Sequence, residues 1–351
     1  MKRFLTCTSL AITGLMATTA WGSSTALGSS RHGSAAISPA VVTDIGGLGD
    51  RGFNDLAKVG LDAATRALKV KGRIVVPQTP ADYTNDLTQL AQNGAQPVFG
   101  IGFTFADAMT QVAAKFPQTH FAIVDSVVNK PNVRSLVFRE QEGSYLAGVV
   151  AGLMAQQKTS YTNPFHKVVG FIGGQQSPLI EKFGAGYEQG VKSVCPQCKI
   201  LYQYVGATTQ AFSDPGRAEE IARNMHESGA YVIYHAAGAS GDGLFRAAAQ
   251  QHFFAIGVNT DQAKIQPNAP ILTSVLKRVD TAVKTTIVDQ AQGKWTAGVQ
   301  SFGLSNNGIA LAPFGRFNAL VPVMVKSAVT DAKAKIISGK IKVVTKLADL
   351  K

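Results

Sequence analysis

The chain alternates two kinds of segment. Short apolar runs end in glycine, aspartate or asparagine, and stretches with apolar residues at three- and four-residue steps follow them. Residues 40–45 read as a buried strand. A turn holding Gly46, Gly47, Gly49 and Gly52 comes next, where glycine permits positive φ and close backbone approach. From Asp55 onward Leu56, Val59, Ala63, Ala67 and Leu68 recur as one face of a helix. The unit then returns. Val168-Val169-Gly170-Phe171-Ile172-Gly173-Gly174 repeats the first strand and its glycine pair. Residues 221–234 repeat the helix, Gly-Ala turn and strand of residues 87–100. Phe254-Ala255-Ile256-Gly257-Val258-Asn259 repeats Phe121-Ala122-Ile123-Val124-Asp125. Three pairs in one order, at a near-constant offset, mark an internal repeat.

Strands and helices alternating through short connections predict an α/β chain, with parallel sheets covered by helices on both faces. Two copies predict two similar lobes whose strand ends carry Asp44, Asp125, Gly238 and Asn259 to a shared cleft, the usual place for a small ligand. Hinge crossings are expected near residues 140–144 and 261–270, with a third near 303–307. These boundaries put residues 40–141 plus about 268–303 in lobe 1, and 142–267 plus about 304–351 in lobe 2.

The first residues follow a different pattern. Lys2 and Arg3 precede an apolar core from Leu10 to Ala17, and small residues follow, which is the pattern of a cleaved signal peptide over residues 1–30. Residues 31–39 continue a Ser/Gly/Ala-rich flexible spacer. A lipid-anchored protein would carry Cys just after the apolar core, whereas the early Cys7 precedes it. The expectation is a soluble protein in the periplasm or an equivalent extracytoplasmic space. The longest later apolar run, Tyr145 to Ala155, is too short to span a bilayer and reads as a buried helix.

Composition adds less. The 351 residues are 45% hydrophobic and 16% charged, so the chain is globular. The net charge of +12 reads as colloidal, or as loose attraction to an anionic envelope surface. Its basic residues are scattered without the clustering and interleaved aromatics that nucleic acid requires.

Several motifs suggest chemistry and then fall short of it. Gly47-Leu48-Gly49-Asp50-Arg51-Gly52 matches G-x-G-x-x-G, the basis for an exported dehydrogenase reading. The next strand, Arg73-Ile74-Val75-Val76, runs into Pro77-Gln78-Thr79 with no acid for a ribose, and two acids crowd the loop. Cys195-Pro196-Gln197-Cys198 follows a helix where a redox pair would precede one, and no second ligand pair for zinc lies nearby, so a local disulfide is the favoured reading. Gly238-Ala239-Ser240-Gly241-Asp242 breaks G-x-S-x-G at its last position, and the six histidines are dispersed. His235, at a strand end, reads more readily as structural than as cleft-facing. Phe53 and Phe212 lie in loops of the two lobes and either clamp a flat ring or cover their own cores. The expectation is a binding protein with no catalysis, no cofactor and no metal.

These segments resemble the basic membrane protein family of ABC-transporter substrate-binding lipoproteins, which includes purine nucleoside receptors. The resemblance is carried by Thr43-Asp44-Ile45-Gly46-Gly47, Phe53-Asn54, the strand ending in Asp125, Phe138-Arg139-Glu140-Gln141-Glu142-Gly143-Ser144-Tyr145-Leu146-Ala147-Gly148, Phe212-Ser213-Asp214-Pro215, Ala237-Gly238, Asn259-Thr260-Asp261-Gln262 and Thr273-Ser274-Val275-Leu276-Lys277-Arg278. It covers nearly everything from Val41 to about Gly315. It implies a type I periplasmic-binding-protein fold and a monomer that passes a nucleoside to permease subunits. It also implies roles: Phe53 and Phe212 sandwich the base, Asn54 and Asp125 bond its edge, Asn259 and Lys277 serve the ribose, and Asp44 and Gly238 line the cleft. One departure is that the family usually has Asp where Asn259 stands. An amide accepts at one atom and donates at the other, which opens a receptor for a sugar or other small polar metabolite as the alternative.

Overall fold

The computed structural model describes residues 37–350. The expected leader and most of the expected spacer lie outside them. The strands are β1 (Ala40–Val42), β2 (Arg73–Val75), β3 (Val98–Ile101), β4 (Phe121–Val124), β5 (Val133–Phe138), β6 (Val168–Gln175), β7 (Lys199–Gly206), β8 (Ala230–Ala236), β9 (Phe254–Asn259), β10 (Ile271–Lys277), β11 (Gly298–Phe302) and β12 (Ile309–Leu311). The helices are α1 (Phe53–Leu68), α2 (Tyr83–Gln92), α3 (Ala106–Lys115), α4 (Glu140–Met154), α5 (Pro178–Val194), α6 (Pro215–Glu227), α7 (Gly241–Gln251), α8 (Gln262–Ile265), α9 (Val279–Ala291) and α10 (Val323–Ile337).

Two six-stranded sheets result, ordered β11-β5-β4-β3-β1-β2 and β12-β10-β9-β8-β6-β7. All pairs are parallel except β10 with β12. Strand order reverses between β1 and β3 in the first sheet and between β6 and β8 in the second. Open α/β sheets bind ligands beyond the strand ends at such a reversal. Asp44 follows β1, Gly102 follows β3 and Gly238 follows β8, so the duplication brings two such crevices to one cleft.

The chain passes between the sheets three times, at residues 138–140, 277–279 and 303–308. The second passage corrects the expectation of a crossing at 261–270. Ser274 pairs with Gly257 and Val275 with Val258, so β10 belongs to the second sheet and not to lobe 1. The intervening segment, with Asn268 and Pro270, has linker composition but serves as an ordinary crossover between adjacent parallel strands. Helix α9, which follows, packs on α1 in the first lobe.

Helix α1 brings a second correction. Its buried face is Asn54, Ala57, Gly60, Leu61 and Ala64, while Val59 is half exposed and Ala67 faces solvent. The periodicity identified the helix but misplaced its core face, because the side against α9 is built from small residues. A Cβ on Gly60 would run into the carbonyl oxygen of Asp280.

The apolar run of α4 is a buried helix, packed along α5. The two backbones touch. A Cβ on Gly148 would collide with the carbonyl oxygen of Tyr187, and one on Gly190 with that of Tyr145. After α5, Cys195 and Cys198 form a disulfide with both residues buried. Lys192 Nζ donates to the Cys198 carbonyl at 2.7 Å and fixes this turn against the helix.

Gly148→Ala is expected to destabilise the protein by about 1–3 kcal/mol, because neither backbone can yield without moving a whole helix. Equilibrium urea unfolding measures it. An unchanged midpoint would show that the α4–α5 contact is loose.

Candidate functional site

Each predicted residue is placed by local chemistry that precedes any ligand. After β1 the chain turns through Gly47 and Gly49, both at positive φ, into α1. Asp50 organises this turn. Its carboxylate accepts from the backbone N–H groups of Gly52 at 2.9 Å, Asn54 at 2.8 Å and Asp55 at 3.1 Å. Asp55 in turn accepts from Gly49 and Arg51. The amides that would cradle a phosphate in a G-x-G-x-x-G loop are thus already occupied by the loop's own acids.

Asp44 sits at the floor. One oxygen accepts from Asn54 Nδ2 at 2.7 Å and from the Gly46 amide at 2.9 Å. Asn54 Oδ1 accepts from the Asp44 amide at 3.2 Å, and Asn54 is only 2% exposed. Asn54 therefore positions Asp44 from both ends and keeps a single N–H for anything in the cleft. Burial pushes the Asp44 carboxyl up to about 6; the bonds from Asn54 and Gly46 hold it down in part, and the charges of Asp50 and Asp125 raise it further.

Asp125 follows β4 and Asn259 ends β9, and both adopt positive φ, 69° and 68°. Aspartate and asparagine are the side chains that tolerate this conformation best, so the repeat is visible in the backbone as well as in the sequence. Asp125 Oδ2 accepts from Lys277 Nζ at 2.6 Å, while its buried Oδ1 has no protein partner. Lys277 ends β10, 2% exposed, and its ammonium also meets Glu140 at 3.1 Å. The rings of Phe53, Phe138 and Phe183 surround it, with centroids 5.2, 5.0 and 5.8 Å from Nζ. Burial alone would lower the Lys277 pKa, but Asp125 and Glu140 outweigh it and raise it, so the side chain stays charged. Burial pushes Asp125 up to about 6; Lys277 pulls against this and Glu140 adds to it.

Phe53 opens α1 in one lobe, and Phe212 closes a short turn in the other. The Phe212 ring lies on Gly174, where a Cβ would strike the ring, and its carbonyl oxygen lies 3.1 Å from where a Cβ on Gly238 would stand. Gly238 is at φ 56°. All eight predicted residues, Asp44, Phe53, Asn54, Asp125, Phe212, Gly238, Asn259 and Lys277, line a single cavity between the lobes. The lobes are closed over it. Arg51 Nη1 meets Asp242 at 3.6 Å from one lobe to the other, Gly52 abuts the Asn259 amide, and a cavity of about 90 Å³ remains.

The sequence reading missed Tyr83, Thr104, Leu179, Ile180 and Phe183 in the lining. Tyr83 Oη accepts from the Ile45 amide at 3.2 Å, and its ring stacks on Phe105. No spacing motif marks such residues, since they reach the cleft from the short turn after β3 and from the N-terminal turns of α2 and α5. His235 does not line the cavity. Its Nε2 donates to Gln262 Oε1 at 3.0 Å, which also accepts from the Val258 amide, and burial pushes the ring's pKa down to about 4. Among the described residues no cluster of three or more His, Cys, Asp or Glu could hold a metal ion, and no helix is long and apolar enough to cross a membrane.

Two parallel-sheet lobes, three crossings and a polar cleft flanked by aromatic rings define a two-lobed solute-binding protein of the periplasmic type. The fold is shared with a glucose-galactose binding protein from Geobacillus stearothermophilus, at a TM-score of 0.59 over 80% of this chain and 98% of that one, with 15% identity. The sequence model described as "ABC transporter substrate-binding protein PnrA-like" matches residues 37–346, and the chain belongs to this family, Bmp. It is 34% identical to the ABC transporter nucleoside-binding protein BmpA of Lactococcus lactis, over 98% of this chain and 99% of that one. A solute-binding protein of an ABC transporter system from Aeropyrum pernix superposes with a TM-score of 0.79 at 29% identity, covering 88% of this chain and 93% of that one. The protein is thus an extracytoplasmic substrate-binding component of an ABC transporter and not an enzyme.

The raised pKa of Asp44 carries a stability cost. The folded carboxyl titrates at about 6 against a reference of 3.8, so folding is opposed in full above pH 6 and unopposed below the unfolded value. Asp44→Asn is therefore expected to stabilise the ligand-free protein by up to about 3 kcal/mol at pH 7.5, an advantage that shrinks through pH 6 to 4. Unfolding measured at pH 7.5 and at pH 4 checks it. A pH-independent difference would contradict the assignment.

Proposed function

We propose that the protein captures a nucleoside, with a purine as the favoured base, and delivers it to the permease subunits of an ABC importer as a monomer. The observation that carries this reading is the pairing of Phe53 and Phe212, from opposite lobes, with the unpartnered Asp125 oxygen in one cavity. Aromatic rings suit a flat base, and a buried acceptor requires a donor on its edge. Asp125 takes that edge, helped by the one free N–H of Asn54. The ribose falls to Asn259, to the third N–H of Lys277 and to the backbone at Gly238, with Asp44 as a further acceptor. The nucleoside-binding name of the Lactococcus relative supports the same reading.

Asn259 favours a second reading, a receptor for a sugar or another small polar metabolite, because an amide handles a diol differently from a carboxylate. A thermal-shift panel separates the two. Purine nucleosides are expected to raise the melting temperature by mass action, with pyrimidine nucleosides weaker and free sugars inert. Phe53→Ala and Phe212→Ala should each weaken the responding nucleoside by about 1–3 kcal/mol. A panel in which sugars alone stabilise the protein would replace the nucleoside reading with the second. Affinities within twofold of wild type for both variants would remove the clamp.

A further inference from the structure

Glu140 does not line the cavity, yet its side chain is fully buried where the chain first crosses between lobes. A carboxylate there is strongly disfavoured unless it is paired. Its partners come from two elements: Lys277 Nζ at 3.1 Å from β10, and Lys182 Nζ at 3.4 Å from α5. With Asp125 they form a row of alternating charge, Asp125–Lys277–Glu140–Lys182, running from the cleft to a flank where Lys182 is 31% exposed.

We propose that Glu140 is a positioning residue for ligand capture: acting through Lys277, it sets the orientation and charge of Asp125, and Lys182 tunes it from the solvent side. The geometry supplies the reason. An ammonium has three donors, and one paired with Asp125 alone is free to engage both carboxylate oxygens. Glu140 draws the ammonium toward the crossing, so Asp125 is held by Oδ2 only and Oδ1 stays open. The electrostatics run the same way. The negative charge of Glu140 offsets part of the pull of Lys277 on Asp125, and Lys182 offsets part of that effect in turn. Asp44 in the same cavity is a further charge near Asp125, the Tyr234 hydroxyl lies close enough to Glu140 to feel its charge, and the rings of Phe53, Phe138 and Phe183 surround the ammonium.

The inference rests on Asp125 accepting a ligand donor, so its test has one arm without ligand. Carbon-13 NMR of the Asp125 carboxyl, assigned by its loss in Asp125→Asn, is followed against pH in wild type, Glu140→Gln and Lys182→Met. Removing the acid should lower the Asp125 midpoint, and removing the outer cation should raise it, each by about half a pH unit or more. The second arm is calorimetry with adenosine, guanosine and inosine over the same range. Affinity should fall as pH drops through about 6 in wild type, where Asp125 gains a proton, and this limb should move down in Glu140→Gln and up in Lys182→Met. Midpoints that stay put, or that move together, overturn the proposal. So does weaker binding in Glu140→Gln with an unmoved acid limb, the mark of a purely structural role. If Glu140→Gln does not fold, Lys182→Met, altered on the partly exposed flank, decides alone by its upward shift or its absence. Opposite NMR shifts with no nucleoside bound by wild type would leave this inference standing and remove the nucleoside reading instead.

Discussion

The buried ammonium of Lys277 is the constraint on which the rest of the cleft depends. A lysine this far from water stays charged only because Asp125 and Glu140 reach it from two sides and aromatic rings close the gap. The three groups belong to different parts of the architecture. Asp125 directly follows a strand of the first sheet, Lys277 ends a strand of the second, and Glu140 starts the helix that follows the first crossing. Separating the lobes would pull Asp125 from Lys277 and leave two buried charges poorly paired. The closed form keeps the ion row paired, while Asp125 Oδ1 is left without a protein partner.

Around this centre, the loops are held by their own polar groups, so that little has to be ordered when a ligand arrives. Asp50 and Asp55 consume the amides of the glycine-rich turn. Asn54 fixes Asp44, and Gly174 makes room for the Phe212 ring. Groups already fixed by protein contacts lose less entropy on binding. The raised pKa of Asp44 shows the opposite side of the same design, a group kept in place against the stability of the empty protein.

The architecture was legible because duplication leaves a long-range signal that short windows lack. Gly46-Gly47 against Gly173-Gly174 located two first strands, and Asp125 against Asn259 located two strand ends that share a left-handed backbone. Other features depended on contacts that no local pattern encodes. The segment around Asn268 and Pro270 has the composition of a linker whether it joins two lobes or two neighbouring strands, and only the pairing of β10 with β9 decides. Three of the five buried positions of α1 are alanine or glycine, which carry little hydrophobic signal although they permit the closest approach. Asn54 was recognisable as a cleft residue, but its commitment to Asp44 was not. Glu140 gave no local clue, since the adjacent Arg139 pairs with Glu142 instead, and the partners of Glu140 lie 42 and 137 positions away in sequence.

A crystal structure with a purine nucleoside bound tests the central claim most directly. The base should lie between Phe53 and Phe212, with a ring or exocyclic nitrogen within hydrogen-bond distance of Asp125 Oδ1 and with the Asp125–Lys277–Glu140 row intact. A nucleoside seated away from Asp125, or one whose binding breaks the Asp125–Lys277 pair, would contradict it.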